Sequence, residues 1–358
     1  MAVKTDLCPV CGRPAAMEAP DVWGCPECGF AYSQVKRFAG SGALAVWRQA
    51  AAGEKRRLLE RVIGLCARQP VFGFGGGALT FTSPQDGRLY LVEASGIQPQ
   101  RPEVRQYSAP ENTLRNKVFL LSDGRLEAEG DNEYGQCRTG NLHDIRRALA
   151  TPRCTYAVTS EGNVQCCGEP FSPAVASWKN VQELAAGAYH LVGLTGDGRV
   201  LAAGDMLNSA VAAEIAGWRE ITAIACAGDA TISLRRDGTV CFAGRPGDPR
   251  EAVRDWSGIA AIAIESVYAA GLTADGRVLL AGRNSNDDLD LGRREAASWT
   301  NVAAIACSRS GIAALGMDGS VRLAGNIRDI GRLKSAWDSF SDTVRSQLLQ
   351  AVMISPFV

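Results

Sequence analysis

Four cysteines near one end of the chain have the types and spacing of a metal site: Cys8-Pro-Val-Cys11-Gly and Cys25-Pro-Glu-Cys28-Gly, thirteen residues apart. Two close pairs of soft thiolates can close a tetrahedron around Zn²⁺ at about 2.3 Å per bond, and the glycine after each pair allows a turn tight enough to aim amides at sulfur. Four thiolates leave no position for water, so structural Zn²⁺ is expected, with an iron centre as the alternative that uses similar ligands. About thirty residues bury too little surface to fold alone, so folding here should depend on the metal. The remaining residues offer little chemistry. His143 and His190, the two histidines, sit in no metal or nucleophile motif, and FGFGGGAL at 72–79 lacks the Lys-Ser/Thr of a phosphate-cradling loop. Cys226, Cys241 and Cys307 read as small buried fillers at strand positions shared with Ala and Ile, while Cys166 and Cys167 adjoin on one strand and must point to opposite faces. No nucleophile and no enzyme activity are expected.

The elements that must position any site are repeats. Hairpin signals of the Asp-Gly type begin at Asp86, Asp123, Glu161, Asp197, Asp237, Asp275 and Asp318, at spacings of 36 to 43 residues. Trp178, Trp218, Trp256 and Trp299 each lie 19 residues before their own hairpin acid, so the variable length falls between one hairpin and the next Trp. Each of these four windows holds three short apolar runs, with a turn that demands or tolerates positive φ between the second and third. This predicts a small antiparallel sheet per repeat, with each Trp as core between neighbouring sheets. The earlier repeats match less closely: Leu142 occupies the Trp position of the third, and the first two have no Trp. Trp337 opens an eighth repeat that has no hairpin after it, which could supply a strand or a helix to close the array.

Length and composition set the frame. At 358 residues the chain can bury a large core, and 38 basic against 38 acidic residues argue against a nucleic-acid clamp, although residues 1 to 70 carry ten Lys/Arg and six Asp/Glu. No apolar run is long enough to span a membrane, and the first residues lack the apolar centre of a signal peptide. With twelve cysteines that read as reduced thiols plus a metal site, a soluble, cytoplasmic chain is expected. Residues 1–33 form the Cys-rich unit, 34–69 read as a helical linker with an apolar stripe at Leu58, Leu59, Val62, Ile63 and Cys66, 70–340 hold the array, and 341–358 are a tail that reads as closing strand or helix. Residues 97–117, polar and with three prolines, read as a long loop inside the second repeat.

Two resemblances follow from these residues. The knuckles resemble a zinc ribbon over about residues 5 to 32, a family that binds nucleic acids or proteins. The repeats resemble the regulator of chromosome condensation type, through Val181, Ala185, Ala186, Gly187 and His190, the D-G-x-V-x-x-x-G hairpins, and NEYGQC at 132–137 with the recurrent Trp. The second resemblance covers roughly residues 71 to 337 and implies a mainly β fold, a seven-bladed β-propeller preceded by the zinc ribbon and a short helical linker. It also implies a habit of binding proteins without fixing one activity. The Gly-x-x-His segment survives only at Gly187–His190.

Between the first and second run of each window the residues vary in size and charge while the flanks stay uniform, as expected of loops carried on a rigid sheet. Tyr189, His190, Asp229, Glu265, Tyr268 and Arg309 are therefore the expected contact residues for a partner. The function this supports is a non-enzymatic protein-interaction module. One alternative is a nucleic-acid-associated platform using the ribbon and the basic helix. The other is an inhibitor or regulator of an enzyme or GTPase acting through the 97–117 loop.

Overall fold

The computed structural model describes four short strands within residues 5–33 and, with breaks at 76–77, 83–88, 94, 101–102, 110–115, 205–208, 283–291, 317–318 and 328–329, residues 72–339. The expected linker, 34–69, and the tail, 341–358, lie outside the described residues.

Seven antiparallel sheets follow one another along the chain, each a meander of consecutive strands. Blade 1 has four strands, Phe72–Gly75, Ala78–Thr82, Leu89–Glu93 and Gly96–Pro99; blade 2 has three, Val104–Ser108, Asn116–Leu121 and Leu126–Gly130. Blades 3 and 4 are Ile145–Ala150, Cys154–Thr159, Val164–Gly168 and Val181–Ala186, His190–Thr195, Val200–Gly204. Blades 5, 6 and 7 are Ile221–Ala227, Ala230–Arg235, Val240–Ala243; Ile259–Ile264, Tyr268–Thr273, Val278–Gly282; and Val302–Ser308, Gly311–Gly316, Val321–Gly325. First strands of neighbouring blades touch from blade 2 to blade 7, that of blade 7 reaches that of blade 1, and the third strand of blade 1 meets the first of blade 2. The chain is a closed, seven-bladed β-propeller.

Every hairpin signal falls between the second and third strands of a blade, although the first, 83–88, lies outside the described residues. The loops have three residues: Gly198 N–H donates to Thr195 O at 3.0 Å and Thr195 N–H to Arg199 O at 2.9 Å, with Gly198 at φ 76°. Blades 2, 3, 5, 6 and 7 repeat these two hydrogen bonds, and among the described loop residues the glycine alone takes positive φ, closing a type I turn with a bulge. The same glycine binds the next blade. Its carbonyl accepts the first-strand amide of the following blade: Ile145 to Gly124, Val181 to Gly162, Ile221 to Gly198, Ile259 to Gly238 and Val302 to Gly276, at 2.9 to 3.1 Å. A Cβ on Gly162 would sit 3.1 Å from the Asn180 Cα, so glycine is required by the approach as well as by φ.

The donor is aimed by a second left-handed residue. Asp144, Asn180, Glu220, Gly258 and Asn301, each two residues after Leu142 or a Trp, have φ between 55° and 66°. The carbonyls of Asp144, Asn180, Glu220 and Gly258 accept from their own blade's hairpin, and the next amide turns to the preceding blade. The Trp rings wedge between blades: Trp178 packs with Cys154, Tyr156 and Val158 behind it and with Val181 and Leu191 of its own blade. Opposite the ring stands a small residue of the second strand. A Cβ on Gly193 would lie 3.1 Å from Trp178 and one on Gly271 2.7 Å from Trp256; Ser233 and Ala314 hold the matching positions. Ser233 Oγ is the one buried side-chain polar atom without a hydrogen-bond partner among the described residues. Size selects that residue, and its hydroxyl is incidental.

Closure uses a helix. Helix α1, Ile330–Asp338, lies against blade 7 and the last two strands of blade 1, with Leu333 and Trp337 each 1 % exposed. Trp337 Nε1 donates to Gly319 O at 2.9 Å, so the indole takes the place that a first-strand amide fills elsewhere. The Trp missing from the first repeat is thus supplied from the far end of the chain. The segment 97–117 differs from the loop expected: Gly96–Pro99 is the outer strand of blade 1 and Val104–Ser108 the inner strand of blade 2. Its polar residues serve strand edges, as when Gln106 Oε1 accepts from Ala148 N at 2.8 Å and Gln106 Nε2 donates to Ala148 O at 3.0 Å. Residues 101–102 and 110–115 of this segment lie outside the described residues.

Trp337→Ala is expected to lower unfolding free energy by about 3–5 kcal/mol, whereas Trp337→Phe, which keeps the ring but orphans the Gly319 carbonyl, should cost about 1–3 kcal/mol. Urea unfolding of the full chain measures both.

Candidate interaction face

The ring has two faces. Three-residue hairpins and the residues after each Trp occupy one; the other carries the turns from first to second strand and the starts of the connectors between blades. Among the described residues the large hydrophobics that stay exposed are Tyr189, at 58 %, and Tyr134, at 38 %. Both belong to this second, turn face. Tyr189 sits in the blade 4 turn, where Gly187 N–H donates to His190 O at 2.9 Å. Tyr134 sits in the connector after blade 2, with the Arg153 guanidinium of the blade 3 turn 4.8 Å from its ring centre. Arg153 also pairs with Glu169 at 3.1 Å, which leaves the tyrosine framed by charge.

The other residues singled out by their variation have different surroundings. His190 is 1 % exposed and its Nε2 lies 2.8 Å from Thr231 Oγ1 in blade 5. Tyr268 is 6 % exposed and its hydroxyl donates to Ser308 O at 3.1 Å and Gly311 O at 2.7 Å in blade 7. Glu265 is 2 % exposed, its carboxylate folded back on the amide and hydroxyl of Ser266. Asp229 is largely covered, paired with Arg245 and, at 2.9 Å, with Arg250. Arg309 is exposed, and its carbonyl accepts from Arg293 at 3.4 Å. His190, Glu265 and Tyr268 are thus buried, and the side chains of His190 and Tyr268 tie one blade to the next. The reason is the strand geometry: the first residue of a second strand points its side chain at the next blade. Asn116 does the same in blade 2, donating to Thr151 O at 3.0 Å and Thr155 Oγ1 at 3.3 Å.

A further set escaped notice in the sequence. Gln136, Arg250 and Arg293 are buried, each six residues before Leu142, Trp256 or Trp299. Gln136 donates to Pro152 O at 3.1 Å; Arg250 spans two blades through Ala227 O at 3.3 Å and Glu265 O at 3.1 Å, while Asp248 and Asp229 neutralise it. The guanidinium of Arg293 lies 4.7 Å from the Tyr268 ring centre. Their fixed distance to Trp was the signal available.

Electrostatics on this face follow burial. Burial drives His190 down to about 4, against a smaller opposing pull from Asp229. Burial also pushes the Tyr268 phenol up. On the inner strand of blade 4, burial raises Glu183 to about 7, opposed by Arg147. A groove of about 430 Å³ lies on the outer rim of blade 5 toward the hairpin face, lined in part by Glu214, Trp218, Arg235 and Arg254. Arg254 is held there by Glu214 at 2.6 Å, and nothing in the groove pairs a nucleophile with a base.

The four knuckle cysteines lie outside the described residues. The strands around them form one meander, Thr5–Leu7, Pro14–Ala19, Val22–Gly24 and Ala31–Ser33. Leu7 pairs with Pro14 and Gly24 with Ala31, so the strand ends that bracket 8–13 and 25–30 lie at the same end of that sheet. Among the described residues there is no other group of three or more metal-binding side chains.

No protein-family model matches the chain, and no curated protein matches it. Among solved structures it is similar to the ectodomain of the Physcomitrella patens receptor kinase CR4, at 15 % identity over 71 % of this chain and 72 % of that one, with a TM-score of 0.52. Yeast RCC1 (Prp20), in its crystal structure with Kap60, gives 14 % identity over 64 % of this chain and 73 % of that one, with a TM-score of 0.48. Prp20p from Saccharomyces cerevisiae, in a further structure, gives 14 % over 64 % and 75 %, with a TM-score of 0.46. At such identities the likeness concerns the fold alone. No helix among the described residues is long and apolar enough to cross a membrane.

Because His190 is held neutral with its pKa below the unfolded value, its contribution is complete above about pH 6.5 and is lost as pH falls toward 4, on the order of 3 kcal/mol in full. His190→Asn, which copies Asn116, is expected to flatten that part of the stability profile, read from urea midpoints at pH 7.5 and pH 4.5.

Proposed function

We propose that the chain is a non-enzymatic protein-interaction module of the regulator of chromosome condensation repeat type, which offers the turn face of its propeller to a protein partner. The observation that carries this reading is the pair of exposed tyrosines on one face of a ring whose other large apolar side chains, among those described, are covered. An aromatic ring with a hydroxyl edge can bury apolar area and still hydrogen-bond, which suits it to a contact surface. Arg153 and Glu169 beside Tyr134, with Asp229 and Arg309 in other turns of the same face, give it both signs of charge, which favours a mixed protein surface over a polyanion. The face needs no rearrangement to bind, because Gln136, Arg250 and Arg293 fix the turns from beneath.

Tyr134→Ser with Tyr189→Ser is expected to weaken partner capture from a cell extract at least tenfold while leaving the thermal midpoint unchanged. Full capture by the folded double variant would move the contact elsewhere.

The reading includes a structural Zn²⁺ held by Cys8, Cys11, Cys25 and Cys28 in a zinc ribbon ahead of the ring. Its support is the spacing of the four thiols together with the shared sheet end of the strand termini that flank them. Elemental analysis of chain purified without chelator is expected to return one zinc per chain, lost in Cys8→Ser with Cys25→Ser. Iron in its place would assign the alternative centre, and a metal-free chain that takes up no zinc would remove the ribbon.

A further inference from the structure

Of the seven cysteines among the described residues, four, Cys137, Cys154, Cys166 and Cys167, gather in blade 3 and the connector leading into it. Where blade 3 has Cys166-Cys167, the later blades carry Ala202-Ala203, Phe242-Ala243, Leu280-Ala281 and Leu323-Ala324. Sulfur has replaced carbon at two adjoining positions of one third strand.

Strand register sorts the four thiols into two pairs. Cys154 faces Gly168 and Tyr156 faces Cys166, so Cys154 and Cys166 share one side of the sheet as diagonal neighbours. Both lie in one cluster with Tyr156 and Phe171, where Cys154 Sγ donates to Thr155 O at 3.7 Å. Cys167 points to the opposite side, where its Sγ lies 3.3 Å from Gln136 O and Cys137 is nearby.

The two members of the first pair are not equivalent. Cys154 is fully buried, whereas Cys166 is half-buried and reachable from solvent. The neighbouring Cys154 brings the Cys166 thiol down to about 7 against the opposing effect of burial, while Cys166 and burial push Cys154 far up. Cys167 is raised to about 11 chiefly by burial, which outweighs the lowering by its hydrogen bonds with Thr155. One thiol is poised as a thiolate beside a second that holds its proton.

We propose that Cys166 is an oxidation site for hydroperoxides, with Cys154 as its resolving partner. The Cys166 thiolate attacks the terminal peroxide oxygen; an S–O bond forms, the O–O bond breaks, and the departing alkoxide takes up a proton to leave as alcohol or, from hydrogen peroxide, as water. Cys154 sulfur then attacks Cys166 sulfur; the S–S bond forms, the S–O bond breaks, and hydroxide leaves as water with the proton of Cys154. Two thiols give up two electrons and the peroxide bond accepts them. Thiol–disulfide exchange with a small-molecule thiol restores the pair. The product is a covalent tie between the second and third strands of blade 3, beside the turn that holds Arg153 against Tyr134.

The test treats the full chain with hydrogen peroxide at pH 7.5 and maps its peptides. A Cys154–Cys166 disulfide is expected in the wild type, a dimedone-trapped sulfenic acid at Cys166 in Cys154→Ser, and no oxidation of Cys154 in Cys166→Ser. Iodoacetamide should label Cys166 at least about tenfold faster than Cys167 in the unmodified protein, which needs no variant to fold. Equal labelling rates, or a disulfide that joins Cys166 to any other cysteine, would overturn the proposal.

Discussion

The ring rests on one hydrogen bond made again and again: the carbonyl of a hairpin glycine accepts the first amide of the following blade. For that bond to form, the hairpin must end in a residue at positive φ, the donor must be turned outward by a second left-handed residue, and nothing larger than hydrogen can stand on the glycine. The Trp and the small residue facing it then set the distance between blades, since the ring fills the gap that the bond defines. Most of what recurs in the sequence is the local requirement of this single contact.

That is why so much of the fold could be read from the chain. Asp-Gly hairpins and the constant distance from Trp to hairpin both report on the inter-blade bond, and each blade repeats it. The closing joint could be read only in part, because Trp337 announces a further repeat without showing that its indole nitrogen substitutes for a main-chain amide. Residues 97–117 were harder. Polar side chains and prolines look like a loop, yet Gln106 and Ser108 are polar because the inner strand edge of blade 3 needs partners there: Ala150 N donates to Ser108 Oγ at 3.0 Å.

The candidate face was less legible, and for a definite reason. Variation between repeats was taken to mark solvent-facing loops, but a side chain that ties one blade to the next also varies, because it must match a different neighbour each time. His190 meets a threonine hydroxyl, Tyr268 meets two carbonyls, Asn116 meets both kinds of group. Of the expected contact residues Tyr189 and Arg309 stay exposed, while Tyr134 sat in a connector whose composition gave no hint of exposure. The cysteines of blade 3 repeat the lesson. Adjacent thiols were expected to point apart, and they do, but which thiol stands diagonal to which depends on pairing register across strands.

The indole of helix α1 has a consequence for the order of events at the ribosome. Blade 1 is made early, yet the residue that locks it against blade 7 is made more than two hundred residues later. At roughly 5–20 residues per second the early blades wait many seconds as an open arc, with one flank of blade 1 lacking its neighbour. The chain cannot become a wheel by degrees. Its first blade is the last to be finished, and a nascent chain stopped short of Trp337 would present that unfinished flank to whatever else is near.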